Sequence, residues 1–147
     1  MRFAGVVAAA ALAVACAGRG TACECGPLPD TYLAAAKADA VFVGRVFWIG
    51  EDTDTDGTVM FREYMFRISR AWKGTGGVDT AIVYDVPNDC SYPFTDGREY
   101  LVYAQSERLL GGRLVTSACL RTKPFGEAAD DLVLLGPPSY LGHWLRK

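Results

Sequence analysis

The chain has 147 residues, half of them hydrophobic, with 15 basic and 17 acidic side chains and one histidine. That length holds one domain with a real core. The acidic excess leaves no basic face for a nucleic-acid backbone, so a nucleic-acid partner is not expected.

Met1 and Arg2 open a run from Phe3 to Cys16 that is apolar and alanine-rich. The run is too short to cross a bilayer comfortably and long enough for the apolar region of a secretion signal. Gly20 and Ala22 then stand at the −3 and −1 positions of a cut before Cys23. Residues 1–22 are therefore expected to be a removable signal peptide. Residues 23–147 are expected to be the mature, secreted or periplasmic chain. A competing signal is Leu12-Ala13-Val14-Ala15-Cys16, which resembles a lipobox. Lipidation at Cys16 would supply a lipid anchor and leave Cys23 internal. No later stretch is apolar for long enough to be a transmembrane helix.

The leader takes Arg2 and Arg19 with it, so thirteen basic residues face seventeen acidic ones in the remainder. Four cysteines also remain: Cys23, Cys25, Cys90 and Cys119. An even number in an exported chain reads as a disulfide framework rather than a zinc site, and spacing alone leaves three pairings open.

Along the mature chain, Pro27 and Pro29 precede a predicted helix from Asp30 to Ala38, with Asp30 as N-cap. Val41 to Ile49 is rich in Val, Phe and Trp and predicts a strand. Glu51 to Thr58 reads as an acidic loop. Val59 to Trp72 alternates, with Tyr64, Phe66 and Ile68 on one face and Glu63, Arg67 and Ser69 on the other, as a half-buried strand does. The glycines of Lys73-Gly74-Thr75-Gly76-Gly77 predict a turn. Further strands follow at Thr80 to Val86, Glu99 to Gln105 and Arg113 to Leu120, the last two joined through Gly111-Gly112. Glu127 to Leu135 predicts a helix stopped by Gly136-Pro137-Pro138. Five strands flanked by helices predict a mainly β fold, a small closed barrel of the five-stranded OB type.

Asp52, Asp54 and Asp56, followed by Gly57 and Glu63, match the spacing of an EF-hand calcium loop. Both flanks read as strand instead of helix, so a solvated hairpin is the expected outcome, and calcium is not expected as a cofactor. Trp72, Tyr100 and Tyr103 read as packing residues and not as a base-stacking platform. His143 falls in a tail after Pro137-Pro138. No His, Ser or carboxylate constellation for catalysis is visible, and no enzyme is expected.

The ordered set of motifs resembles the N-terminal inhibitory domain of the tissue inhibitors of metalloproteinases, a netrin-like module with an OB fold. The set opens with Cys23-Glu24-Cys25 and Pro27. It continues through Phe42-Val43-Gly44-Arg45-Val46, Tyr64-Met65-Phe66-Arg67-Ile68 and Trp72-Lys73-Gly74. It closes with Cys90 before Phe94, Tyr100-Leu101-Val102-Tyr103-Ala104, and Cys119 after Thr116. The match covers residues 23–122, leaving 123–147 as a C-terminal helix and tail. It implies bridges Cys23–Cys90 and Cys25–Cys119; a direct Cys23–Cys25 bridge would also be a strained, tiny ring. It further implies a secreted, monomeric inhibitor of zinc metalloendopeptidases with no cofactor of its own. In that role the α-amine and carbonyl of Cys23 would chelate the catalytic zinc of the protease partner, which keeps an open position for such a ligand. Glu24 would enter the specificity pocket, Cys25, Gly26 and Pro27 would lie along the cleft, and Asn88 and Asp89 would flank the inserted terminus. The chain departs from the family in lacking a third disulfide and a C-terminal domain, and in carrying an anion at Glu24 where a small residue is usual. The alternative implied by the same fold is a netrin-like envelope or extracellular interaction module without inhibitory chemistry.

Overall fold

A computed structural model describes residues 23–145. The expected signal peptide and Cys16 lie outside the described residues. Helix α1 covers Thr31–Lys37, and Asp30 caps it by accepting a hydrogen bond from the Leu33 amide at 2.8 Å. The strands are β1 (Ala40–Thr53), β2 (Val59–Lys73), β3 (Thr80–Asp85), β4 (Glu99–Glu107), β5 (Arg113–Val115) and two short additions, β6 (Lys123–Pro124) and β7 (Tyr140–Leu141). Helix α2 is Ala129–Leu135, entered through a single 3-10 turn at Phe125–Glu127.

Five strands close into a ring. β1 pairs antiparallel with β2 on one side and with β4 on the other; β2 pairs with β3, and β4 with β5. The ring is completed where β3 meets β5 in parallel at Tyr84 and Val115. Closure leaves no edge over most of the barrel, which removes the unpaired amides and carbonyls of an open sheet.

The alternating pattern sets the interior. Phe42 and Val46 of β1, Tyr64, Phe66 and Ile68 of β2, Val83 of β3, and Tyr100, Val102 and Ala104 of β4 fill the barrel with Phe94 from the connecting loop. Phe66 packs edge-to-face on Phe42 and Phe94, with ring centroids 5.5 and 5.0 Å apart. Such pairs add about 0.5–1.5 kcal/mol each beyond the burial of the rings themselves. The other face of β1 and β4 is buried too. Val41, Val43, Leu101 and Tyr103 lie under the two helices, against Ala34, Ala38, Ala128, Leu132 and Leu135. That double burial is why the runs Ala40–Val43 and Tyr100–Ala104 are continuously apolar instead of alternating. Gly44 is required at the bulge in β1, because a Cβ there would meet the Phe66 Cβ at 3.1 Å and the Arg67 carbonyl at 3.2 Å.

Several boundaries differ from the sequence expectation. β1 runs on through Glu51–Thr53, so the acidic loop shrinks to a turn at 54–58. The fifth strand stops at Val115 and does not continue to Leu120. Thr116 turns inward to donate to the Tyr103 carbonyl, and 117–120 form a turn closed by the Leu120 amide on the Ser117 carbonyl. α2 begins at Ala129, two residues after the expected Glu127. Residues 123–145 are also stitched to the barrel. β6 pairs with β4 and β7 with β2. His143 Nδ1 lies 3.0 Å from Asp79 Oδ2, and the Trp144 indole donates to the Ile68 carbonyl at 2.9 Å. The Tyr140 hydroxyl and the His143 amide both hydrogen-bond Asp79, holding its carboxyl down at about 2.

Phe66 is fully buried and touches two other rings. Phe66→Ala is expected to lower the unfolding free energy by about 3–5 kcal/mol. A urea titration showing a loss below about 1 kcal/mol would mean the barrel interior is not the packed core described.

Candidate functional site

Cys23 and Cys25 are both bonded into the barrel rim. Cys23 bridges to Cys90 with Cα atoms 4.9 Å apart, and Cys25 bridges to Cys119 with Cα atoms 5.1 Å apart. The bridges touch: the Cys23 sulfur lies 3.3 Å from that of Cys119 and 3.5 Å from that of Cys25. The sulfurs of Cys23, Cys90 and Cys119 are therefore gathered as in a metal cluster, but each is already bonded to another sulfur.

The loops that receive the bridges are built by short-range polar contacts. Asn88 Oδ1 accepts from the Cys90 amide at 2.8 Å, and its amide group donates to the Val86 carbonyl at 2.7 Å. The Ser117 hydroxyl accepts from the Cys119 amide at 3.2 Å. The Ala118 amide joins the two loops by donating to the Cys90 carbonyl at 2.8 Å. Asn88 thus shapes the loop beside Cys23 through both ends of its own side chain. Asp89, next to it, is exposed.

Glu24, Cys25, Gly26, Pro27 and Leu28 form an exposed ridge that belongs to no helix or strand. Its far end is fastened by a network that no sequence motif announces. Asp131, the first-turn acid of α2, is 1% exposed. It accepts from the Thr31 hydroxyl at 2.8 Å, from Lys123 Nζ at 2.9 Å, and from the Arg121 guanidinium. Arg121 in turn donates to the Pro29 carbonyl at 3.0 Å. Burial alone would raise the Asp131 carboxyl, but the hydrogen bonds from Arg121, Lys123 and Thr31 outweigh it and hold the group below its ordinary range. The only hint in the sequence is an aspartate at the start of a helix, where negative charge is common for other reasons.

Beside the Cys23–Cys90 bridge lies a cleft of about 210 Å³, lined by Asp85, Val86, Asn88, Cys90, Glu107, Leu110 and Val115 to Ser117. Asp85, the last residue of β3, is 2% exposed, and its Oδ2 has no hydrogen-bond partner. Arg62 Nη1 stands 3.9 Å away, beyond hydrogen-bonding reach, and Arg62 Nε is engaged by Glu51 at 3.0 Å. Burial pushes the Asp85 carboxyl above its usual range despite Ser91 and Arg62.

The calcium-loop residues fall on a tight hairpin. Asp52 is on β1 and Glu63 on β2, while Asp54 and Asp56 lie in the turn. Asp54 Oδ1 accepts from the amides of Asp56 and Thr58, both at 2.9 Å, so the carboxylate caps its own turn. Among the described residues, the oxygens of Asp52, Asp54, Asp56 and Glu63 do not gather closely enough to share an ion. The ribbon leading to this turn leaves Phe47, Trp48, Ile49 and Met60 exposed. No helix among the described residues is long and apolar enough to cross a membrane.

The chain matches no protein-family model and no curated protein.

The Asp131 network gives a pH signature. With its folded pKa depressed, Asp131 stabilises the protein fully above the unfolded carboxylate value of about 4, and that contribution is lost as pH falls through the folded value. Asp131→Asn should therefore be less stable at pH 7 and show a flatter acid limb in melting temperature against pH. Asp131→Ala, which leaves Arg121 and Lys123 without their partner, is expected to lose about 3–5 kcal/mol. Parallel acid limbs in wild type and Asp131→Asn would contradict the network. A separate expectation concerns the hairpin turn: chelation of calcium should leave the melting temperature unchanged, and a calcium-dependent rise that Asp54→Ala abolishes would establish a site there.

Proposed function

We propose that this protein is a secreted inhibitor of zinc metalloendopeptidases, built like the N-terminal domain of the tissue inhibitors of metalloproteinases on an OB-type barrel. The observation that carries the reading is the double bridging of Cys23 and Cys25, which presents Glu24 to Leu28 as a stiff, exposed ridge. The ring order, with β1 between β2 and β4 and β3 meeting β5, supports an OB-type Greek-key barrel.

In this reading, removal of residues 1–22 frees the α-amine of Cys23. That nitrogen and the Cys23 carbonyl oxygen form a five-membered chelate on the zinc of the protease, displacing its bound water. The bridges order the terminus before binding, so little conformational entropy remains to be lost on docking. Glu24, the first side chain past the chelator, enters the specificity pocket. An apolar pocket would resist its charge, so the favoured targets carry a polar or cationic pocket.

A second reading rests on another observation. The exposed Phe47, Trp48, Ile49 and Met60 on the β1–β2 ribbon form a contact surface that needs no free terminus. It suits a netrin-like interaction module.

The deciding experiment compares three forms against a panel of zinc endopeptidases: natural, extended by one alanine before Cys23, and acetylated on the Cys23 nitrogen. The extension and the acetyl group are each expected to abolish most inhibition while the barrel stays folded. Inhibition by the natural form should also weaken below about pH 8, as the α-amine gains its proton. Glu24→Thr should strengthen inhibition of proteases with apolar pockets. Equal inhibition by the extended form would remove Cys23 as chelator. No inhibition by any form, or a lipidated Cys16 at the native terminus, would favour the interaction module.

A further inference from the structure

Two features of the cleft beside the Cys23–Cys90 bridge are unexplained by zinc chelation. The first is Asp85, a residue of the cleft lining whose buried carboxylate oxygen Oδ2 has no hydrogen-bond partner. A buried carboxylate oxygen left unbonded is costly, and most are satisfied. The second is the division of the walls. Val86, Leu110 and Val115 give the cleft an apolar flank, while Asp85, Glu107, Asn88 and Ser117 give it a polar, net negative one. A long apolar stem ending in a planar cation matches both halves: the methylenes cover the apolar wall and the head reaches the carboxylate.

We propose that this cleft receives an arginine side chain presented by the protein that docks on the Cys23 ridge, with Asp85 as its ionic anchor and Glu107 as the second acid. The position follows from Cys90, which lines the cleft and carries the bridge to Cys23. Arg62 does not supply the missing contact, because its guanidinium is 3.9 Å from Asp85 Oδ2 and held on its other side by Glu51. A guanidinium entering from the cleft would pair with the Asp85 carboxylate. The charge balance agrees, since seventeen acids outnumber the basic residues of the chain. Desolvation raises the Asp85 carboxyl in the free protein, and an incoming cation would favour its ionised form. The proposal specifies the partner surface: a basic side chain a short distance from the point where the terminus inserts.

It rests on the reading of the ridge as a docking element, but its test needs no protease. Isotope-labelled protein with both bridges intact is titrated with Nα-acetyl-arginine methylamide and followed through its amide resonances. The uncharged citrulline counterpart serves as control. Saturable shifts are expected at Val86, Asn88, Glu107 and Ser117, with an apparent Kd on the order of millimolar. The citrulline probe and the Asp85→Asn variant should each bind at least about tenfold more weakly, a loss of about 1.4 kcal/mol. Shifts of equal size with citrulline, persistence of the arginine shifts in Asp85→Asn, or no saturation would each overturn the proposal. Should Asp85→Asn fail to fold, the comparison of the two probes on the native protein decides. Failure here counts against the cleft alone, because chelation is judged by the extended terminus.

Discussion

The exposed ridge from Glu24 to Leu28 depends on two disulfides that grip one short segment. Cys23 and Cys25 are separated by a single residue, yet their partners sit on different loops, 67 and 94 residues away in sequence. In the chain-entropy account, closing the first such loop withdraws about 4 kcal/mol from the freedom of the unfolded chain, and the second, which overlaps it, withdraws less. The local effect matters as much. Residues 24 to 28 have no strand or helix to order them, so without the bridges they would be an ordinary frayed end. With the bridges in contact and Pro29 held by Arg121, the ridge is fixed at both ends and exposed in between.

The barrel contributes by placing the two receiving loops side by side. Cys90 lies on the connection from β3 to β4, and Cys119 on the segment leaving β5. The parallel contact of β3 with β5 brings the ends of those strands to one rim. The hydrogen bond from Ala118 to the Cys90 carbonyl then locks the loops together. Ring closure and the disulfides therefore reinforce one another, and a change that loosened the β3–β5 seam would be felt at the ridge.

Two buried aspartates show how environment assigns different roles to the same side chain. Asp131 and Asp85 are 1% and 2% exposed. Asp131 is met by two cations and a hydroxyl, which more than offset its desolvation, and it serves as the clasp between α2 and the start of α1. Asp85 has one distant guanidinium and an oxygen with no hydrogen bond. Burial of a carboxylate is tolerable when its lone pairs are satisfied and leaves an unmet demand when they are not. The first arrangement holds a structure together, and the second leaves a carboxylate oxygen unsatisfied in the protein by itself.

Much of this was legible in the sequence, because it depended on local pattern. The period-two run through Tyr64, Phe66 and Ile68 predicts the buried face of β2, Asp30 predicts its own helix cap, and Gly136-Pro137-Pro138 predicts the end of α2. The even cysteine count, with an expected export signal, predicts disulfides, and the motif resemblance implies the pairing the structure shows. Other features were decided only by the tertiary structure. Nothing near Asp131 in the chain reveals that Arg121, Lys123 and Thr31 will converge on it, since Thr31 lies at the opposite end of the domain. Arg113 to Leu120 has the composition of a strand, but Thr116 is drawn inward by the Tyr103 carbonyl and the strand ends there. Asp85 sits in an alternating strand that gives no sign of whether its carboxyl will meet a partner. Local periodicity reports which face of an element is apolar; the contacts between elements distant in sequence exist only once the barrel has closed.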